Sequence, residues 1–140
     1  SAVVEEYLIL KDALVATDAA ASGKAAEQVL AKLGQVDMIL LKGEAHLFWM
    51  EKAKAMTAHA KAIQNSTDVE KQREQFAFLS SALVESVQAF GVETDTLYVQ
   101  YCPMAFDFEG AFWLSNSKQI ANPYFGDKMM KCGLVKRVLK

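Results

Sequence analysis

The segment Thr67–Gly91, TDVEKQREQFAFLSSALVESVQAFG, decides the fold. Val69, Phe76, Leu79, Leu83 and Phe90 recur at the spacing that puts side chains on one face of an α-helix, with charged residues between them. Thr67 followed by Glu70 has the capping-box spacing, in which hydroxyl and carboxylate each satisfy an unpaired backbone N–H. Gly91 supplies the stop. A long amphipathic helix with one apolar stripe needs partners to cover that stripe, and the chain upstream provides them.

Working back, Asn65-Ser66 breaks a preceding helix that runs from about Gly43 to Gln64, with Trp49, Ala53, Met56, Ala60 and Ile63 along its stripe. Before it, Asp18 caps a helix that turns Ala26, Val29, Leu30 and Leu33 inward. That helix stops near Gly34, a residue suited to the left-handed conformation. The first helix carries Val3, Tyr7, Leu10 and Leu14 on one face. Four such helices with short connections predict a mainly α protein, an antiparallel four-helix bundle. The plausible breaks are at Gly43 and at Glu93–Thr96, and residues 92–96 read as a short connection. The forty or so residues beyond are too few for an independent core, so one domain is expected, with a bundle over 1–91 and an appendix over 97–140 packed against it.

Composition agrees with a globular domain: of 140 residues, 52% are apolar and 23% charged. The net charge of −2 divides unevenly. Residues 1–96 carry 9 Lys/Arg against 14 Asp/Glu, and residues 97–140 carry 6 against 3. With no basic cluster, this excess in the tail is too mild for a phosphate-binding surface, so neither nucleic acid nor an anionic membrane is expected as a partner. Charges such as Lys11, Asp12 and Glu44 interrupt every apolar run well short of the roughly 20 residues of a membrane helix. The chain opens at Ser1 without Met or an apolar leader, as expected of a mature or excised segment.

The tail is different in kind. Leu97-Tyr98-Val99-Gln100-Tyr101 reads as a strand that delivers Cys102 to its end, and Ala111–Leu114 and Leu134–Leu139 are further strands, with turns at Asn116-Ser117, Asn122-Pro123 and Gly126-Asp127. A small sheet or hairpin follows. Both cysteines lie here, in Cys102-Pro103-Met104 and Met129-Met130-Lys131-Cys132-Gly133. Thiolate and thioether are soft donors, so Cys102, Met104, Met129 or Met130, and Cys132 would favour Cu(I), with Ag(I) as a mimic. Pro103 keeps Cys102 out of helical geometry and Gly133 permits a tight turn after Cys132, so both thiols could face one centre. The spacing is not that of a zinc site, which would need Cys-x-x-Cys or paired histidines nearby. Two other readings stay open: a disulfide, whose loop closure is worth about 3.6 kcal/mol, and inert buried thiols. His46 with Met50, or Met56 with His59, could lend a ligand from a helix, although packing is the commoner role. Phe112, Trp113, Tyr124 and Phe125 are expected to seal the tail against the helices.

These residues also carry a resemblance. Cys-Pro-Met, Gly-Ala-Phe-Trp-Leu-Ser and Ile-x-Asn-Pro-Tyr-Phe-Gly-x-x-Met-x-x-Cys-Gly resemble the DUF3347 family, as do Lys11–Val15, Trp49 and Gln72-Arg73-x-x-Phe76-x-x-Leu79-Ser80 in the helices. The resemblance implies an extracytoplasmic, periplasmic domain, alone or attached to the adaptor subunit of a heavy-metal efflux pump, that handles copper or silver. Cys102, Met104, Met129 and Cys132 are the positions carried over. Cys102-Pro103-Met104 is also similar to the Cys-Pro-Met-His of short heavy-metal-binding modules, but Ala105 stands where those have histidine. The expectation is a non-enzymatic Cu(I)-binding domain whose partner is an efflux adaptor or transporter; the alternative is a disulfide-stapled interaction domain of such an adaptor. A thiol enzyme would need a base held beside Cys102, and no motif supplies one.

Overall fold

In a computed structural model, which describes residues 2–36, 42–91 and 96–140, four long helices are followed by a three-stranded sheet. Helix α1 (Ala2–Val15) buries Val3, Tyr7, Leu10 and Leu14, the stripe its spacing predicts. Helix α2 (Ala19–Leu33) starts at Asp18, whose Oδ1 accepts the Ala21 N–H at 3.0 Å, and buries Ala26, Val29 and Leu33, with Leu30 half-buried. Its end departs from expectation. Gly34 is right-handed, at φ −68° and ψ −16°, and the helix closes by tightening instead: Gln35 N–H donates to Lys32 O at 3.1 Å.

Helix α3 (Glu44–Gln64) follows Gly43, at φ +60°, and buries Trp49, Met56, Ala60 and Ile63, with Ala53 half-buried. Helix α4 (Val69–Phe90) is capped by Asp68, not by Thr67. The Asp68 carboxylate accepts the Glu70 N–H at 2.9 Å, and Ser66 Oγ accepts the Asp68 N–H at 3.1 Å. A carboxylate suits the positive end of a helix better than a hydroxyl does, which moves the start one residue along. Phe76, Leu79 and Leu83 are buried as expected and Val69 is half-buried, but Phe90 stays 42% exposed, edge-on to Phe48 and Trp49 at 5.9 and 6.2 Å. Gly91, at φ +86°, ends the helix. Consecutive helices pack on one another to form a helical bundle. Residues 92–95, most of the expected connection, lie outside those described. No helix among the described residues is long and apolar enough to cross a membrane.

Strands β1 (Leu97–Cys102), β2 (Ala111–Ser115) and β3 (Leu134–Leu139) form an antiparallel sheet in the order β2-β1-β3, with β2 against α4. The register against β3 slips between Val99 and Gln100, leaving Lys136 as the extra residue of a bulge. Trp113 and Tyr124 are buried and Phe125 half-buried, as expected. Phe112 instead faces outward, 38% exposed, because the strand alternates and Trp113 takes the inner side.

Two polar groups join sheet and tail to helices. The Tyr7 hydroxyl accepts the Leu114 N–H at 3.1 Å and pairs with Ser80 Oγ at 2.6 Å, while its ring stacks on Phe76 at 5.0 Å. Arg73, 2% exposed, donates Nε to Pro123 O at 2.8 Å and Nη2 to Leu14 O at 2.9 Å and Thr17 Oγ1 at 3.0 Å; its Nη1 pairs with Glu70 at 2.7 Å. Arg73→Leu leaves two buried carbonyls unpaired and is expected to lower stability by about 3 kcal/mol. Tyr7→Phe should cost about 1–2 kcal/mol. Urea unfolding checks both, as midpoints that fall at unchanged slope.

Candidate functional site

Strand β1 carries Cys102 to its last position, where the side chain is fully buried, and Pro103 turns the chain away. Cys132 arrives from the other direction. Asn122 holds it: the side-chain Nδ2 donates to Cys132 O at 2.7 Å, and Oδ1 accepts from Tyr124 N and Phe125 N at 2.8 and 3.1 Å. Gly133, at φ +145°, then lets the backbone pass so close to the sheet that a Cβ there would lie 3.0 Å from Trp113 and 3.1 Å from Tyr101 O. The result is a Cys102 Sγ–Cys132 Sγ distance of 3.1 Å between two free thiols, one buried and one half-buried.

The other predicted ligands are placed differently. Met104 brings its backbone N–H to the Cys132 sulfur, while its side chain is 38% exposed. Met129 is half-buried at the end of the 3-10 turn Gly126–Lys128, and its carbonyl accepts the Cys132 N–H at 3.1 Å. Met130 O accepts the Asn122 N–H at 2.8 Å. On the helices, Met56 is fully buried and Met50 exposed. His59 Nδ1 is bonded to Gln75 Oε1 at 2.7 Å with its ring stacked on Phe78, and His46 is half-buried near the start of α3. Among the described residues no group of three His, Cys, Asp or Glu could hold a metal ion, and the candidate centre there is the cysteine pair.

The two sulfurs act on each other directly. The hydrogen bond to Cys102 holds the Cys132 thiol above the ordinary thiol range, with partial desolvation and the charge of Cys102 acting the same way and the Met104 N–H opposing them. Two chemistries are within reach. The sulfurs stand about 1 Å beyond bonding distance, so loss of two protons and two electrons to an oxidant would close a disulfide. Alternatively, deprotonation leaves a soft-donor pair. Thiolates at about 2.3 Å from a shared ion sit roughly 3.8 Å apart in a tetrahedral site and roughly 4.6 Å apart in a linear two-coordinate one, so the pair must open by about 0.7–1.5 Å to admit a soft cation.

One feature escapes sequence reasoning. Phe106, Asp107 and Phe108 form a left-handed turn, at φ 55°, 54° and 70°, followed by Gly110 at φ 82°. A Cβ on Gly110 would overlap the Tyr101 ring, which explains the glycine. With α4 the turn encloses a groove of about 500 Å³ lined by Glu74, Phe78 and Ser81 on one side and Phe106, Glu109 and Phe112 on the other. The available signals were Gly110 just before a strand and Phe78 off the stripe of α4.

A family model described as a protein of unknown function, DUF3347, matches residues 3–95. The match spans all four helices and ends before β1, so both cysteines lie outside it. No curated protein and no solved structure matches.

A raised thiol pKa lowers the thiolate fraction at a given pH, so Cys132 should alkylate more slowly than an unstructured thiol at about pH 8.5. Its rate profile should shift to higher pH. Cys102→Ser removes the largest cause and should return the profile towards that of an ordinary thiol, as read by mass spectrometry of the Cys132 peptide after iodoacetamide treatment.

Proposed function

The chain belongs to the DUF3347 family, and from the thiol pair carried beside its helices we propose that it is a non-enzymatic, extracytoplasmic domain that binds Cu(I) or Ag(I) in heavy-metal handling or efflux. The observation that carries this reading is the approach of two thiols from distant parts of the tail to 3.1 Å, one of them open to solvent. Cys102 and Cys132 are the ligands, and Met104 and Met129, whose main chains contact Cys132, complete the donor set as thioethers. When bound, such an ion takes the place of the thiol protons, so uptake falls with acidity. The engagement of His59 with Gln75 and Phe78 supports a binding role over a catalytic one, because a thiol enzyme needs a base beside its cysteine. A periplasmic location, an efflux-pump adaptor or transporter as partner, and an up-and-down antiparallel course of the helices complete the proposal.

Full burial of Cys102 favours a second reading, in which the pair is a disulfide staple of an interaction domain. Counting free thiols in protein isolated without reductant separates the two: two thiols per chain fit the metal site, and none fits the staple.

Anaerobic titration of reduced protein with Cu(I) against a competing chelator is expected to give one ion per chain. Cys102→Ser and Cys132→Ser should each weaken binding more than about a hundredfold with helical circular dichroism unchanged, and Met104→Leu by a smaller factor. Affinity unchanged from the parent chain in both serine variants would refute the metal site.

A further inference from the structure

We infer that the groove between α4 and the left-handed turn is a binding site for a small organic cation, an ammonium or guanidinium group carried on an apolar body. This site is separate from the thiols. Its volume of about 500 Å³ lies within the range of small-molecule pockets, roughly 300–1,000 Å³.

The lining states what the ligand must be. Glu74 and Phe78 stand one helical turn apart on α4, with Ser81 a further turn along, so one helix face presents a carboxylate, a ring and a hydroxyl. Opposite them stand Phe106 of the turn, Glu109 just after it and Phe112 of β2. Three aromatic side chains with one carboxylate on each wall favour a cationic ligand, because aromatic faces and carboxylates attract the same sign of charge. No lysine or arginine lines the groove, and neither Glu74 nor Glu109 enters an ion pair among the described residues. An anionic ligand would meet two carboxylates and no counter-charge there.

The rings are held in place. Phe78, although 59% exposed, is stacked on His59 at 5.2 Å, and Phe106 is set edge-on to buried Tyr124 at 5.4 Å. Phe112 rests on Tyr101 at 4.5 Å. Tyr101 itself carries Lys136 Nζ at 5.4 Å from its ring centre, so the aromatic cluster behind the groove already uses this interaction internally. The backbone agrees: the chain enters the left-handed region at three consecutive non-glycine residues, Phe106 to Phe108, and this turn brings Phe106 and Glu109 to the groove.

The test is titration of the reduced, metal-free chain with choline and, separately, with its neutral carbon isostere, followed by heteronuclear NMR. Choline should move the amide signals of Phe78, Glu109, Gly110 and Ala111, and it should bind about tenfold tighter than the isostere. Glu74→Gln with Glu109→Gln should weaken choline severalfold and leave the isostere unchanged. Phe78→Leu, which keeps an apolar side chain at an exposed position, should weaken choline more than the isostere. Equal affinity for the two probes, shifts confined to other surfaces, or indifference of choline to the paired glutamine variant would each overturn the assignment. Repeating the titration on Cys102→Ser keeps this result independent of the thiol reading: choline binding should persist there, and its loss would place the cation at the thiol pair instead.

Discussion

A guanidinium taken out of water has to find its partners inside the protein, and the course of the tail follows from how Arg73 finds them. It sits on α4 with almost no exposure, and it is satisfied by Leu14 O and Thr17 Oγ1 at the end of α1 and by Pro123 O in the tail. Gly126 gives way to it, since a Cβ there would lie 2.9 Å from Nη2 and 2.6 Å from Thr17 Oγ1. Pro123 adjoins Asn122, whose amide grips the Cys132 carbonyl. The position of one sulfur is thus inherited, through three residues, from a buried charge on a helix. The Tyr7 hydroxyl does the same for the other side of the site by anchoring β2 through the Leu114 N–H.

How much of this could be read in the sequence follows from the range over which each feature is decided. Helix faces are decided locally, by spacing, and the stripes through Tyr7, Val29, Met56 and Phe76 lie where periodicity puts them. The strands are legible for the same reason. Ends are harder, because neighbouring residues compete: Thr67 and Asp68 can both cap α4, and the choice rests on which oxygen reaches a free N–H. Gly34 illustrates the converse, a glycine that could have adopted a left-handed stop and did not. The meeting of Cys102 with Cys132 depends on β3 pairing with β1 on the side away from β2, which no spacing encodes. Least legible was the turn at Phe106–Phe108, where tertiary packing overrides local preference.

The family match and the candidate chemistry fall on different halves of the chain. Membership speaks for the helices, residues 3–95, whereas the thiols and the turn-side wall of the groove belong to the tail. The hairpin of β1 and β2 links these two features, because the segment between Cys102 and Ala111 starts at one thiol and ends at the groove. Whatever moves Cys102 acts on a connection of eight residues whose far end is fixed by the contact of Gly110 with Tyr101.

The left-handed turn also bears on how this protein would respond to engineering. A left-handed non-glycine residue costs about 1–2 kcal/mol, and Phe106, Asp107 and Phe108 each bear such a cost in succession. Glycine at Asp107 or Phe108 would relieve it, and a selection scheme rewarding heat resistance alone would find those replacements early. Each would also loosen the segment that carries Phe106 and Glu109 to the groove, so a laboratory lineage bred for robustness would trade away the shape of its cleft.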